Sequence, residues 1–205
     1  MGKKNLEAAF QTYKPSGASN DSSPAMSESD VEIIWVPYQL RPAAPPEGIP
    51  KPPDTPSNPR VGSRMKLAGQ NVGIDFTGKC DRSPNTLLAH MLSDYVLEKY
   101  GWKKQNELQE RMFKGYFTDG IYPDVDALAY MGRECGLDEE EVREALADDG
   151  LRYKVTNMIS ENNEAVLGGV PMFIINGRPA FSGARDPSAF HVVFDVLLGH
   201  RREVR

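Results

Sequence analysis

The residues of this chain best suited to covalent chemistry are its two cysteines, Cys80 and Cys135. A thiolate is a nucleophile and a disulfide partner, and its reactivity follows its pKa. Cys80 lies in FTGKCDRSPN beside Lys79 and Arg82. Those cations would lower a thiol pKa, and the alternative is an ordinary loop thiol. Cys135 comes one residue before Gly136, which reads as a helix end, where the negative end of the dipole raises a thiol and makes a poor nucleophile. The pair has neither Cys-x-x-Cys nor metal-ligand spacing. It reads as two free thiols, of the small apolar kind that proteins bury, rather than as a bridge. A second stretch stands out for its backbone: GGVPMFIINGRPAFSG, residues 168–183, which sets two glycines and Val170-Pro171 at the mouth of an apolar run.

The chain must position these groups within 205 residues, 40% of them apolar, enough for one domain or one domain with an insertion. The net charge of -5 points away from nucleic acid and from an anionic membrane surface. The acids at 138–141 read as a helix start with a solvated face. No apolar run approaches the roughly 18 residues of a membrane span, and MGKKNLEAAFQTYK lacks the apolar centre of a signal peptide. The expected location is cytoplasmic.

Leu6, Ala9, Phe10 and Tyr13 share one helical stripe, stopped by Pro15 and Gly17. The stretch PSGASNDSSPAMSESD reads as a long loop, and VEIIWVPY, 31–38, as a strand buried on both faces. The proline-rich RPAAPPEGIPKPPDTPSNPR is neither helix nor central strand, and its composition favours extended, polyproline-like chain. A turn of helix is expected around 64–70. From Asn85 to about Val166 the period becomes 3.6, with five successive helices. The first carries Leu88, Met91, Leu92 and Tyr95. The second carries Leu108, Met112 and Phe117 and closes at Gly120. Pro123 opens the third, Asp138 caps the fourth with Glu141 three residues on, and the fifth spans about 152–167. PMFII and RPAFS then flank Asn176-Gly177, a type I′ turn signal, and Asp186-Pro187 starts a last helix with Phe190, Val193, Phe194 and Leu197 facing inward. Trp35, Tyr116 and Phe117 read as core or groove lining rather than a cofactor box.

This order resembles the thioredoxin fold in its DsbA-like form, and the detailed likeness is to the FrnE-type branch. It rests on Asn85, Thr86, Ala89 and His90 (Asn-Thr-x-x-Ala-His), on GYFTDG at 115–120, on ECGLDEEEV at 134–142, and on GGVPMF followed by SGARDP. It covers about residues 3–198. The fold class it implies is α/β, a thioredoxin fold incomplete at its N-terminus with an inserted all-helical domain. The implied division is 1–78, the first part of the thioredoxin-like domain; 79–166, the helical insertion; and 167–205, the closing hairpin and helix.

The resemblance implies a cis Val170-Pro171 bond that leaves the backbone N–H and C=O of Val170 free to pair with an extended substrate. It names Val170, Pro171 and His90 as substrate-binding residues, with His90 otherwise a hydrogen-bonded tie between insertion and core. Such proteins carry Cys-x-x-Cys at the start of the first helix, after a strand, and continue into Gly-Lys-(Lys/Arg)-x-Leu-Glu. Here Met1-Gly2-Lys3-Lys4-Asn5-Leu6-Glu7 fits that continuation, and neither the strand nor Cys-x-x-Cys is in the sequence. The expectation is therefore that Met1 is an internal methionine of a longer product. No catalytic residue is assigned, and whether the chain is an enzyme stays open. The class implied is thiol-disulfide oxidoreductase, with a thiol-containing protein or small thiol as partner. The alternatives are a glutathione-dependent isomerase or transferase, glutathione being the one cofactor candidate, and a non-catalytic peptide-binding module.

Overall fold

The computed structural model describes residues 1–14, 30–166 and 168–198, and these fall into two compact units: 33–165, and the two ends of the chain, 1–32 with 166–205. The expected loop over 15–30 lies, apart from Asp30, outside the described residues, and so does Leu167.

In the larger unit, α2 (Ser63–Gln70) and two-residue strands β1 (Ile49–Pro50) and β2 (Arg82–Ser83) precede the helices. These are α3 (Leu87–Tyr100), α4 (Trp102–Lys114), α5 (Val125–Glu134), α6 (Glu139–Ala147) and α7 (Asp149–Ala165). Their apolar stripes close on one core of Met91, Leu92, Val96, Leu108, Leu128, Met131, Val142, Leu146 and Val155, each no more than 2% exposed. Asp138 caps α6 as expected, its Oδ1 accepting from Glu141 N at 2.9 Å. At α5 the cap is Asp124, accepting from Ala127 N, so Pro123 precedes the cap instead of opening the helix. The second helix stops at Lys114 and continues as a π-helical turn, Gly115–Asp119, which carries Tyr116 and Phe117.

Residues 31–38 do not form the expected strand. The segment pairs with no other strand among the described residues. Side-chain amides serve its backbone instead. Gln105 Oε1 accepts from Trp35 N and its Nε2 donates to Trp35 O, both at 2.9 Å. Asn162 donates to Pro37 O, and Asn163 both accepts from Gln39 N and donates to Gln39 O. Odd-numbered residues thus face the helices, and Ile34 and Val36 stay exposed. The alternation the sequence offers is real; the ladder is replaced by clamps. The proline-rich segment is likewise tied down, through β1 pairing antiparallel with β2 and a Thr55–Asn58 turn.

The smaller unit holds α1 (Gly2–Thr12), β3 (Met172–Ile175), β4 (Arg178–Ser182) and α8 (Pro187–Leu197). β3 and β4 are antiparallel about Asn176 (φ 50°) and Gly177 (φ 75°), the positive-φ pair a type I′ turn requires, with an irregularity between Phe173 and Ile174. Phe173, Phe181 and Phe190 meet with ring centroids 4.9–5.1 Å apart. Phe10 stacks on Phe194 at 5.1 Å, so α1 and α8 bury their stripes against each other. Phe190 and Phe194 are buried as expected, but Leu197 is 38% exposed.

Gln105 is fully buried, and its amide also donates to Ser93 O and Oγ. Replacing it by leucine strands both backbone groups of Trp35. The expected cost of Gln105→Leu is about 2 kcal/mol or more, read from urea unfolding, together with faster hydrogen exchange at the Trp35 amide.

Candidate functional site

The loop entering β3 is built by two glycines with positive φ, Gly168 (114°) and Gly169 (97°), followed by a cis Val170–Pro171 peptide. Its far side is pinned to the end of β4: Gly183 N donates to Pro171 O at 2.8 Å, and Ser182 Oγ to Gly168 O at 3.4 Å. Val170 lies between these anchors, 36% exposed. Among the described residues neither its N–H nor its C=O has a hydrogen-bond partner. An extended chain laid beside it would find one donor and one acceptor, the pairing unit of strand addition.

The first turn of α1 abuts this loop. Gly2 is buried, and a Cβ built on it would lie 2.9 Å from Pro171 Cγ and 3.2 Å from Phe173 Cζ. Only glycine lets the backbone of α1 approach a proline ring so closely. Asn5 Nδ2 adds a bond of 2.8 Å to Arg185 O, after the hairpin. At the other end of α1, Tyr13 donates to Asp195 Oδ1 at 2.9 Å and lies edge-on to Phe194. Burial, then Asp195, pushes the Tyr13 phenol up to about 12. His191 Nε2 contacts Ala9 O and Thr12 Oγ1, each at 3.2 Å. Start and end of α1 are therefore both fixed. Met1 is its N-cap residue and makes no side-chain cap bond.

His90 belongs to the other compact unit, on α3. Its Nε2 lies 3.0 Å from Tyr38 O. A carbonyl can only accept, so this nitrogen carries the hydrogen. Burial drives the His90 pKa down to about 4, partly offset by the bond to Tyr38, and the ring is neutral at pH 7. Asn85 works beside it in the same chain order: Nδ2 donates to Ala44 O at 2.6 Å, while Oδ1 accepts from Leu87 N and Gln39 Nε2. The Asn-Thr-x-x-Ala-His run thus grips residues 38–44 from the start of α3.

The cysteines are free and buried. Cys80 Sγ donates to Arg82 O at 3.4 Å. Burial raises the Cys135 thiol, with Glu107 adding to it, in the direction unsuited to nucleophilic attack. No cluster among the described residues has the His, Cys or carboxylate content of a metal site, and no described helix is long and apolar enough to cross a membrane. Sequence reasoning missed two features. One is the Gly2–Pro171 contact, which joins residues at opposite ends of the chain. The other is the amide clamp, whose signal was available: Gln105 sits on the same helical stripe as Leu108 and Met112.

A helix docked by its first residue on a Val-Pro hairpin loop, with a helical domain spliced between, defines a thioredoxin-type fold with a helical insertion. The profile of the DsbA-like thioredoxin domain matches residues 2–194, and the chain belongs to that family. It is 27% identical over 176 residues to the uncharacterized protein YwbO of Bacillus subtilis, covering 81% of this chain and 82% of that protein. In fold it is similar to the crystal structure of a probable DsbA oxidoreductase from Streptomyces coelicolor, with a TM-score of 0.75 and 20% identity, covering 100% of this chain and 86% of the other.

Two outcomes check the site's construction. Gly2→Ala should destabilise the fold by about 1–3 kcal/mol in chemical denaturation, because the Pro171 ring cannot retreat as a flexible side chain would. His90 binds fewer protons folded than unfolded between its native pKa of about 4 and the unfolded value near 6.5, so stability falls as pH drops through that window. The expected loss from pH 7 to 4 is on the order of 3 kcal/mol, and His90→Gln should flatten the profile.

Proposed function

We propose that this chain docks the extended backbone around a cysteine of a thiol-containing protein, as the substrate-recognising part of a thiol-disulfide oxidoreductase. The observation that carries the reading is the N–H and C=O of Val170, without a partner among the described residues, next to Pro171, on which the first turn of α1 packs. Both halves of the chemistry need that juxtaposition. The substrate backbone pairs with Val170, and the start of α1 is where a helix dipole favours a thiolate and its sulfur partner. Pro171 contributes the wall against which α1 is set. His90, the third substrate-binding residue implied by the resemblance, holds Tyr38 within the larger unit.

Titration of isotopically labelled protein with an extended peptide carrying a cysteine tests this. The expected result is saturable amide shifts at Gly169, Val170 and Phe173, smaller with glutathione than with the peptide. Shifts confined to other residues, or none at millimolar peptide, count against it. Stronger shifts with glutathione favour the small-thiol alternative.

A further inference from the structure

In the larger unit, the proline-rich loop Lys51–Arg60 closes on itself around a cavity that no part of the thiol reading uses. Arg60 does most of the closing. Its backbone N–H donates to Asp54 Oδ1 at 2.8 Å and its Nε to Pro52 O at 3.0 Å; its Nη1 lies 3.3 Å from both Gly78 O and Lys79 O. Lys51 is anchored the same way, its N–H donating to Asp81 O, its Nζ to Cys80 O at 3.2 Å and to Tyr116 Oη at 2.9 Å. Its ammonium also stands 5.0 Å from the centroid of the Tyr116 ring. Between them lies a cavity of about 200 Å³ lined by Lys51, Pro52, Asn58, Pro59 and Arg60.

No carboxylate is among the residues that line this cavity. Neither Lys51 nor Arg60 has a carboxylate within ion-pair distance among the described residues. Asp54, the acid of the loop, accepts from the Arg60 backbone N–H and does not line the cavity. Donors are left over as well. An ammonium has three N–H groups and Lys51 uses two on neutral oxygens; a guanidinium has five, and no bond from the Nη2 of Arg60 is made within the described residues. The Asn58 side-chain amide is also unbonded there, its turn being made by its backbone. Two cations fixed by backbone carbonyls, with spare N–H groups and two proline walls, form a preorganised receptor for a compact anion with several acceptor oxygens.

We propose that the Lys51–Arg60 loop binds a phosphate-sized oxyanion, free or as the phosphoryl group of a small monoester, through Lys51, Asn58 and the Nη2 of Arg60. The test uses the full chain at low ionic strength, titrated with inorganic phosphate and separately with phenyl phosphate. Amide shifts and ³¹P line widths are followed against sodium chloride of matched ionic strength. Saturable shifts at Lys51, Asn58 and Arg60 are expected, absent with chloride. Lys51→Gln should weaken binding by about tenfold or more, the effect of losing one charge-assisted bond. Asn58→Ala should weaken it severalfold with unchanged thermal stability, since that side chain holds nothing else. Lys66→Gln, on α2, should leave binding unchanged. Tighter binding of phenyl phosphate assigns the site to a monoester, and equal binding to the free ion. The proposal is overturned if phosphate gives no more shift than chloride, or if Lys51→Gln and Asn58→Ala bind as tightly as the parent.

Discussion

Where Gly2 meets Pro171 there is no room for a side chain, and the smaller unit is arranged around that fact. The first turn of α1 can reach the loop before β3 only because position 2 lacks a Cβ. Once it does, the rest follows by packing. Phe173, one residue beyond the bond that pairs Met172 with Ser182, presents its ring to the same glycine and to Phe181 and Phe190. Phe10, two turns along α1, stacks on Phe194, and Tyr13 closes the far end on Asp195. The result is a packed frame in which the N–H and C=O of Val170 have no hydrogen-bond partner among the described residues.

The larger unit solves a different problem with a different device. An extended segment that is not in a sheet must still satisfy its backbone. Gln105, Asn162, Asn163, Asn85 and His90 do so from helices α3, α4 and α7, or from the turn that leads into α3. Side-chain amides suit the task because each offers a donor and an acceptor at peptide spacing. The price is specificity of position, since each clamp reads one residue of the segment and a shift by one would break them all.

Much of this was legible in the sequence, and the failures have physical causes. Helical stripes survive in any context, so α1, α3 to α7 and α8 follow the apolar spacing to within a few residues. Asn176-Gly177 forced its hairpin because few dipeptides tolerate two positive φ angles. The segment 31–38 is extended without being a strand, because β-branched and aromatic residues in alternation report extended backbone, not the partner that completes a ladder. Pro123 stands before the cap and not inside the helix, because Asp124, which follows it, accepts from Ala127 N. A recognition role for the Val170 loop was an expectation carried by the family resemblance, whereas the packing of Gly2 depends on a contact about 170 residues away in sequence. His90 was expected to bind substrate or else to serve as a hydrogen-bonded tie, and the structure shows its bond to Tyr38 O.

The central claim is that Val170 and the start of α1 form one docking place for a thiol substrate. It is tested most directly by putting cysteine in place of Met1, forming its mixed disulfide with a cysteine-containing peptide, and measuring nuclear Overhauser contacts to the Val170 amide. The account expects the tethered peptide to lie extended, with its backbone protons close to Val170 N–H and that amide protected from exchange. A peptide held only by its sulfur, with no contact to Val170 and no protection there, would contradict it.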